Sequence, residues 1–438
     1  MIKNKTELIR IGLTKRDQEM HQKLLMILEH ALKEVDPYLL TKHQLKKIDF
    51  KKYKKIYIVG AGKGTFRMAL AAEEVLKNKI TAGVISIPEK LKGKQLTKIK
   101  VNLAGHPFPT PGSFNGAKKV LAMVRRAEKD DLVVGLFSGG ASALLSFPAD
   151  NLSLEDKIEA TGILLRSGAK IQDLNCVRKH LSQIKGGRLA ENLSSQAKMV
   201  SFYLSDVVGN DLSTIASGPT ISDLTTFSQA LKILEKYKIL KQIPSKVKQY
   251  LEDGQKGLYA ETPKRDFSNI SNIIIGSHKT LAQAAAKKAT QLGFKTEIIT
   301  DVMQGFTEKI GPAIIKTIHR RKRKNCLYIA AGETTFKVKT KRPGGRNQQM
   351  ALAVLPHLNS KDFFLAFDSD GVDGVGPERV GGALVSLATF KKATQLSLNP
   401  LKALKENDAY YFFKITGGLI KTGYVGTNLG DLVLAISL

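Results

Sequence analysis

The stretch Ile56–Ala69, IYIVGAGKGTFRMA, decides the fold. It opens as a short continuous apolar run, enters glycines, and changes to helical spacing after Gly64, so it reads as a buried strand, a tight turn and a helix from Thr65 to about Leu76. A second apolar run, GVISI at Gly83–Ile87, completes a βαβ unit. The same grammar recurs outward. LVVGLFS at Leu132–Ser138 runs into Gly139-Gly140, and MVSFYL at Met199–Leu204 ends at Ser205-Asp206. Strands alternating with helices imply an α/β chain with a mainly parallel, doubly wound sheet.

Around this nucleus, apolar residues at helical period from Arg16 to Val35 predict an amphipathic helix that stops before Pro37, and the pattern from Leu154 to Leu193 is helical. The polar, Pro-containing stretch Thr225–Asn269 reads as the passage between two domains. A second α/β series begins at Asn272 (NIIIGS). It continues with a helix over Lys279–Leu292, a strand near Thr296–Thr300, LYIAA at Leu327–Ala331, a hairpin arm at Thr335–Lys339 and a helix opening at Gly345. FFLAF at Phe363–Phe367 and DLVLAI at Asp431–Ile436 close it.

In an open parallel sheet, ligands lie at the carboxyl ends of the strands, so the loops there carry the chemistry. Gly60, Gly62 and Gly64 would let a ligand approach the backbone, and Lys63 adds positive charge at a helix N-terminus, the combination a phosphate favours. A plain tight turn remains the alternative. The P-loop pattern fails because Gly64 follows the lysine where Ser or Thr belongs, and the dinucleotide fingerprint fails because Thr65 takes the third glycine's place. Ser138, Gly139, Gly140 and Ser142 form a second small-residue loop suited to a phosphate or carboxylate. Asp206 ends a buried strand, which points to a metal, a lysine or a substrate hydroxyl, while Asp211 reads as a cap. Glu333 also follows a strand. Arg346-Asn347 opens a helix, where a guanidinium opposes the dipole unless an anion lies nearby. Asp368, Asp370 and Asp373 crowd another strand end without matching a calcium loop.

The chain has 438 residues, with 69 Lys plus Arg against 39 Asp plus Glu, a formal net charge of +30. That balance raises nucleic acid as a partner. The basic residues are scattered, however, and the dense runs Lys51–Lys55 and Arg320–Lys324 each precede an apolar strand. No tryptophan occurs, and aromatics at 7% are too sparse for a single-strand stacking platform. No apolar run is long enough to span a membrane, and the N-terminal residues lack a secretory pattern, so a cytoplasmic location is expected. Cys176 and Cys326 belong to no CxxC pair and are expected as buried thiols.

In this order VGAGKGTFRMA, AGHPFPTPGS, SGGASALL, NCVRKHLSQIKGGRLA, LSDVVGNDLSTIASGPT, GETTFKVKTKRPGGRNQQMALA and DSDGVDG resemble the glycerate 2-kinase family over almost the whole chain. The resemblance implies a Rossmann-like N-terminal domain, taken as residues 1–250, and a smaller α/β domain over 251–438. It implies ATP-dependent phosphorylation of D-glycerate on its 2-hydroxyl in an interdomain cleft, with Lys63 and Arg346 as the phosphoryl-transfer residues. The nucleotide would then meet Gly60, Gly62, Gly64, Ser138, Gly139, Gly140, Ser142 and Asn347, and Asp206 and Glu333 would orient Mg²⁺ or the substrate hydroxyl. The partners expected are the substrate glycerate and, as assembly, a homodimer; no specific nucleic acid and no membrane are expected. The sequence departs from the family pattern at Thr110, Ala141, Asn210 and Tyr424 and keeps Lys63 and Arg346. The competing reading is an NAD(P)H-dependent hydroxypyruvate reductase, which would need the complete dinucleotide fingerprint.

Overall fold

The computed structural model describes residues 1–91, Gly93 and 95–438. Its strands are β1 (Ile56–Ala61), β2 (Ile80–Pro88), β3 (Ile99–Ala104), β4 (Leu132–Phe137), β5 (Lys198–Leu204), β6 (Ile270–Gly276), β7 (Lys295–Phe306), β8 (Cys326–Thr335), β9 (Asp362–Asp368), β10 (Gly382–Ser386), β11 (Leu419–Ile420) and β12 (Asp431–Ser437). They form two six-stranded sheets, ordered β3-β2-β1-β4-β5-β6 and β11-β10-β9-β12-β8-β7.

The first sheet is parallel from β3 to β5, and its order reverses between β1 and β4, the switch point of a doubly wound sheet. Both strands at that point are buried along their whole length, as expected when helices cover both faces. The helix Thr65–Leu76 follows β1 as the spacing predicts. The run at Asn272 does not open the second sheet. It lies in β6, at the edge of the first, because a short apolar run shows that it pairs but not with which sheet.

The second sheet differs in kind. Only β7 and β8 are parallel, whereas β12 runs antiparallel to both β8 and β9, and β10 antiparallel to β9 and β11. Strand β8 extends to Thr335 and the following residues are irregular, so the expected hairpin arm is absent. Its core joins Met350, Phe364, Phe413 and Val433.

The chain separates into two compact units. One comprises Met1–Asp36, Ser205–Gly209 and Gly276–Leu438; the other comprises Pro37–Leu204 and Asn210–Ile275. A single division at residue 250 does not express this. The N-terminal helix Lys15–Glu34 buries Leu24, Leu25, Ile27 and Leu28 and joins the unit of the second sheet, where the His21 imidazole contacts Ser386 Oγ at 3.3 Å. The Thr225–Asn269 stretch is not a linker. It holds the helices Phe227–Lys236 and Ser245–Gln255, whose Phe227, Leu234 and Val247 share a core with Leu164 and Val177. Thr226 caps the first of these helices through the Gln229 amide, so the polarity read as linker is helix-cap chemistry.

Candidate active site

Lys63 lies in the unit of the first sheet, at the turn between β1 and its helix. The glycines around it serve the neighbouring strand first. A β-carbon at Gly60 would sit 2.2 Å from the Leu136 carbonyl, and one at Gly62 would sit 2.0 Å from Ser138 Oγ. The loop amides are likewise committed: Lys63 N–H donates to the Gly139 carbonyl at 2.9 Å and Gly64 N–H to Ser138 Oγ at 3.0 Å. Ser138, fully buried, also meets Thr65 Oγ1 at 3.2 Å. Thr65, itself buried in place of a third glycine, bonds the Leu136 carbonyl. The two glycine-rich loops are therefore stitched into one platform by Ser138, and the Lys63 side chain stands beside it. Its Cγ and the His106 ring flank Gly140, at 3.4 and 2.9 Å from where a β-carbon would be.

Next to this platform the same unit holds a cavity of about 490 Å³. Gly140, Ser142 and His106 line it, together with Lys157, Arg178 and Lys185. Lys157 and Lys185 are buried; Lys185 Nζ donates to the Ser142 carbonyl at 2.8 Å, and Lys157 Nζ reaches the Phe147 carbonyl at 3.5 Å. Burial and the Arg178 charge push the Lys157 ammonium down to about 7, and burial with the other two cations lowers Lys185 well below the usual lysine range. Burial likewise brings Arg178 down to about 10. Among the described residues none of the three has a carboxylate at ion-pair distance. The signal was present in the sequence: Lys157 sits at a core phase of the helix Leu154–Arg166, shared with Ala160 and Leu164. Arg178 and Lys185 belong to the NCVRKHLSQIKGGRLA motif.

Arg346, in the unit of the second sheet, has the opposite surroundings. Its Nε donates to Asp431 at 2.8 Å, Nη1 to Glu333 at 2.9 Å and Nη2 to Asp368 at 3.0 Å. The anion expected beside this helix start is thus supplied by the chain. Burial opposes the guanidinium charge, but these carboxylates more than offset it and raise its pKa. Burial and the neighbouring Asp370 push Asp368 up against the pull of Arg346. Asp431 is the hub that sequence reading missed: fully buried, it also accepts from Asn347 Nδ2 at 2.7 Å and from Thr334 N and Oγ1, each at 2.9 Å. A carboxylate opening an otherwise apolar strand was its signal. Asn347, expected at the nucleotide, is buried with its amide committed to Asp431 and Asp373. Asp373 accepts the helix-start N–H groups of Asn347 and Gln348 at 3.0 and 2.8 Å, yet burial raises its carboxyl to about 6. Asp370 closes an Asx turn onto Val372 N–H.

Asp206 accepts from Asn428 Nδ2 at 2.7 Å, and Glu333 is exposed and paired with Arg346. Among the described residues no group of three or more His, Cys, Asp or Glu side chains is arranged to hold a metal ion. Asp211 caps its turn through Ser213 N–H and Thr214 Oγ1. Cys176 and Cys326 are buried free thiols. No helix is long and apolar enough to cross a membrane among the described residues.

Comparison with known proteins finds relatives along nearly the whole chain. A model of a domain of unknown function, DUF4147, matches residues 23–252, and the MOFRL family model matches residues 326–431. Glycerate 2-kinase of Pyrococcus horikoshii is 38% identical over 429 residues, covering 94% of this chain and 96% of its own. D-glycerate 2-kinase of Thermotoga maritima is 36% identical over 428 residues, covering 96% and 99%. The crystal structure of a glycerate kinase from Thermotoga maritima matches with a TM-score of 0.88 at 34% identity, over 96% of this chain and all of that one. With kinship spanning nearly every residue of both partners, this chain belongs to the glycerate 2-kinase family.

Proposed function

We propose that the protein transfers the γ-phosphoryl group of ATP to the 2-hydroxyl of D-glycerate. The observation that carries this reading is likeness along nearly the full length to relatives named for that activity. In the transfer, the glycerate oxygen bonds to the γ-phosphorus as the β–γ bridging bond breaks, the electron pair stays with ADP, and the hydroxyl proton is released. Such a reaction needs positioning and cations around the transferring oxygens more than covalent help. Lys63 supplies an ammonium beside the stitched loops. Arg346 supplies a fixed one: three of its five N–H donors are held by carboxylates, and the remaining two are open to phosphoryl oxygens.

The Arg346 surroundings hold more carboxylates than cations, a surplus that suits a hard divalent ion. We assign Asp206 and Glu333 to orienting Mg²⁺, which when bound would draw charge from the phosphate oxygens. The protein is expected to act in the cytoplasm. The test is incubation with ATP, Mg²⁺ and D-glycerate, with the product identified by phosphorus NMR. 2-Phosphoglycerate is expected; a 3-phosphate would overturn the regiochemistry. No phosphorylated product, together with NADH oxidation by hydroxypyruvate, would overturn the reaction.

A further inference from the structure

The cavity beside Gly140 is electrostatically incomplete. Lys157, Arg178 and Lys185 reach it from two helices and the loop after them, and among the described residues their hydrogen-bond partners are two backbone carbonyls. The neighbouring Lys179 shows what a satisfied buried lysine looks like in this fold: it pairs with Asp223 at 3.3 Å. Glu159 also lines the cavity, but it is exposed and pairs with none of the three. Removing a cation from water without an anion costs several kcal/mol per ion, so three together leave a large debt that an incoming polyanion would offset.

The shape narrows what that anion is. A volume of about 490 Å³ falls in the range of cofactor-sized ligands and far exceeds a three-carbon hydroxyacid. Pro107, Phe108, Pro109, Ile158 and Leu165 give the cavity an apolar wall, and the exposed Arg166 stands at its lining as a further cation. Phe108 lines the cavity while 66% exposed, an aromatic ring of the kind on which a nucleobase stacks. Lys185, by contrast, donates to the Ser142 carbonyl, two residues from Gly140, where the Lys63 stem lies.

We infer that this cavity is the nucleotide site, with Lys157, Arg178 and Lys185 neutralising the polyphosphate and the Pro107–Pro109 segment covering the base. The inference rests on the kinase reading above. It adds three cationic ligands that the Gly-rich loops alone did not disclose. It also explains why the amides of the Lys63 loop can be spent on packing: side-chain cations hold the phosphates instead.

The test is calorimetry on the full chain without glycerate, using ATP, inorganic tripolyphosphate and adenosine as separate probes. For Lys185→Met, and independently Lys157→Met, the Kd of ATP and of tripolyphosphate is expected to rise at least 30-fold while that of adenosine stays within threefold. The thermal midpoint should hold or rise, because an unpaired buried cation has gone. Phe108→Ala should weaken adenosine and spare tripolyphosphate. ATP and tripolyphosphate affinities unchanged in folded variants, or a raised KM for glycerate with an unchanged Kd for ATP, would overturn the assignment and leave the kinase intact. Cation-dependent ATP binding by a wild-type protein that phosphorylates no glycerate would instead overturn the reaction and leave the site.

Discussion

The surroundings of Arg346 and the cavity of Lys157, Arg178 and Lys185 are electrostatic opposites. One guanidinium meets three carboxylates in the first, whereas three cations share a cavity with no paired anion in the second. The difference separates two uses of a buried charge. Arg346 is oriented before any ligand arrives, so it offers a donor edge at little reorganisation cost. Lys157 and Lys185 are held apart from water and, among the described residues, from carboxylates, so they reserve their strength for what enters. A positive charge at an active site can thus be prepared by satisfying it or by withholding its partner.

The largest effects should come from replacing Lys63 or Arg346, the residues proposed to handle the phosphoryl group. Lys63→Ala is expected to lower kcat by about 10³-fold or more in a protein that still folds. Arg346→Ala should lower kcat by a comparable factor and destabilise the fold by roughly 3–5 kcal/mol, because Asp431 and Asp368 lose their cation. Steady-state kinetics beside denaturant unfolding checks both; a wild-type rate in either variant, or a wild-type stability in Arg346→Ala, would overturn the role given to that residue. Next in size, Asp373→Ala should cost roughly 2–3 kcal/mol by orphaning the buried N–H groups of Asn347 and Gln348. Because that helix start carries Arg346, kcat should fall with KM little changed.

The smallest effect sharpens the other side. The Lys157 ammonium titrates near 7 in the folded chain and near the ordinary lysine value when unfolded. Between those values the unfolded chain binds more protons, so this residue makes stability rise with pH, by at most about 1.4 kcal/mol per unit. Guanidinium unfolding from pH 6 to 9 should show that slope, and Lys157→Met should flatten it. A slope identical in the two proteins would mean that Lys157 is charged and satisfied.

Much of the first sheet was legible because parallel strands buried on both faces leave continuous apolar runs between Gly-rich turns, as at Ile56–Ala61 and Leu132–Phe137. The second sheet was less legible. Alternation of strand and helix does not record direction, so the antiparallel pairing of β12 with β8 and β9 left no mark in its apolar spacing. Pairing partners were equally silent, which is why Ile270–Gly276 read as the start of a new domain. Lys63, Arg346 and Glu333 could be singled out from their places directly after glycines. Asp431 and Lys157 left a fainter mark, since each sits inside an element whose apolar neighbours read as packing.

The discontinuous unit built on the second sheet has a consequence for biosynthesis. The helix Lys15–Glu34 emerges before the intervening unit and packs against elements beyond Gly276, while β12, which divides β8 from β9 and brings Asp431, follows every other strand of its sheet. During translation the intervening unit can complete its parallel sheet while the early helix still exposes its Leu24–Leu28 stripe. That stripe is the surface a chaperone would meet on the nascent chain, and closure of the second sheet waits for its central strand.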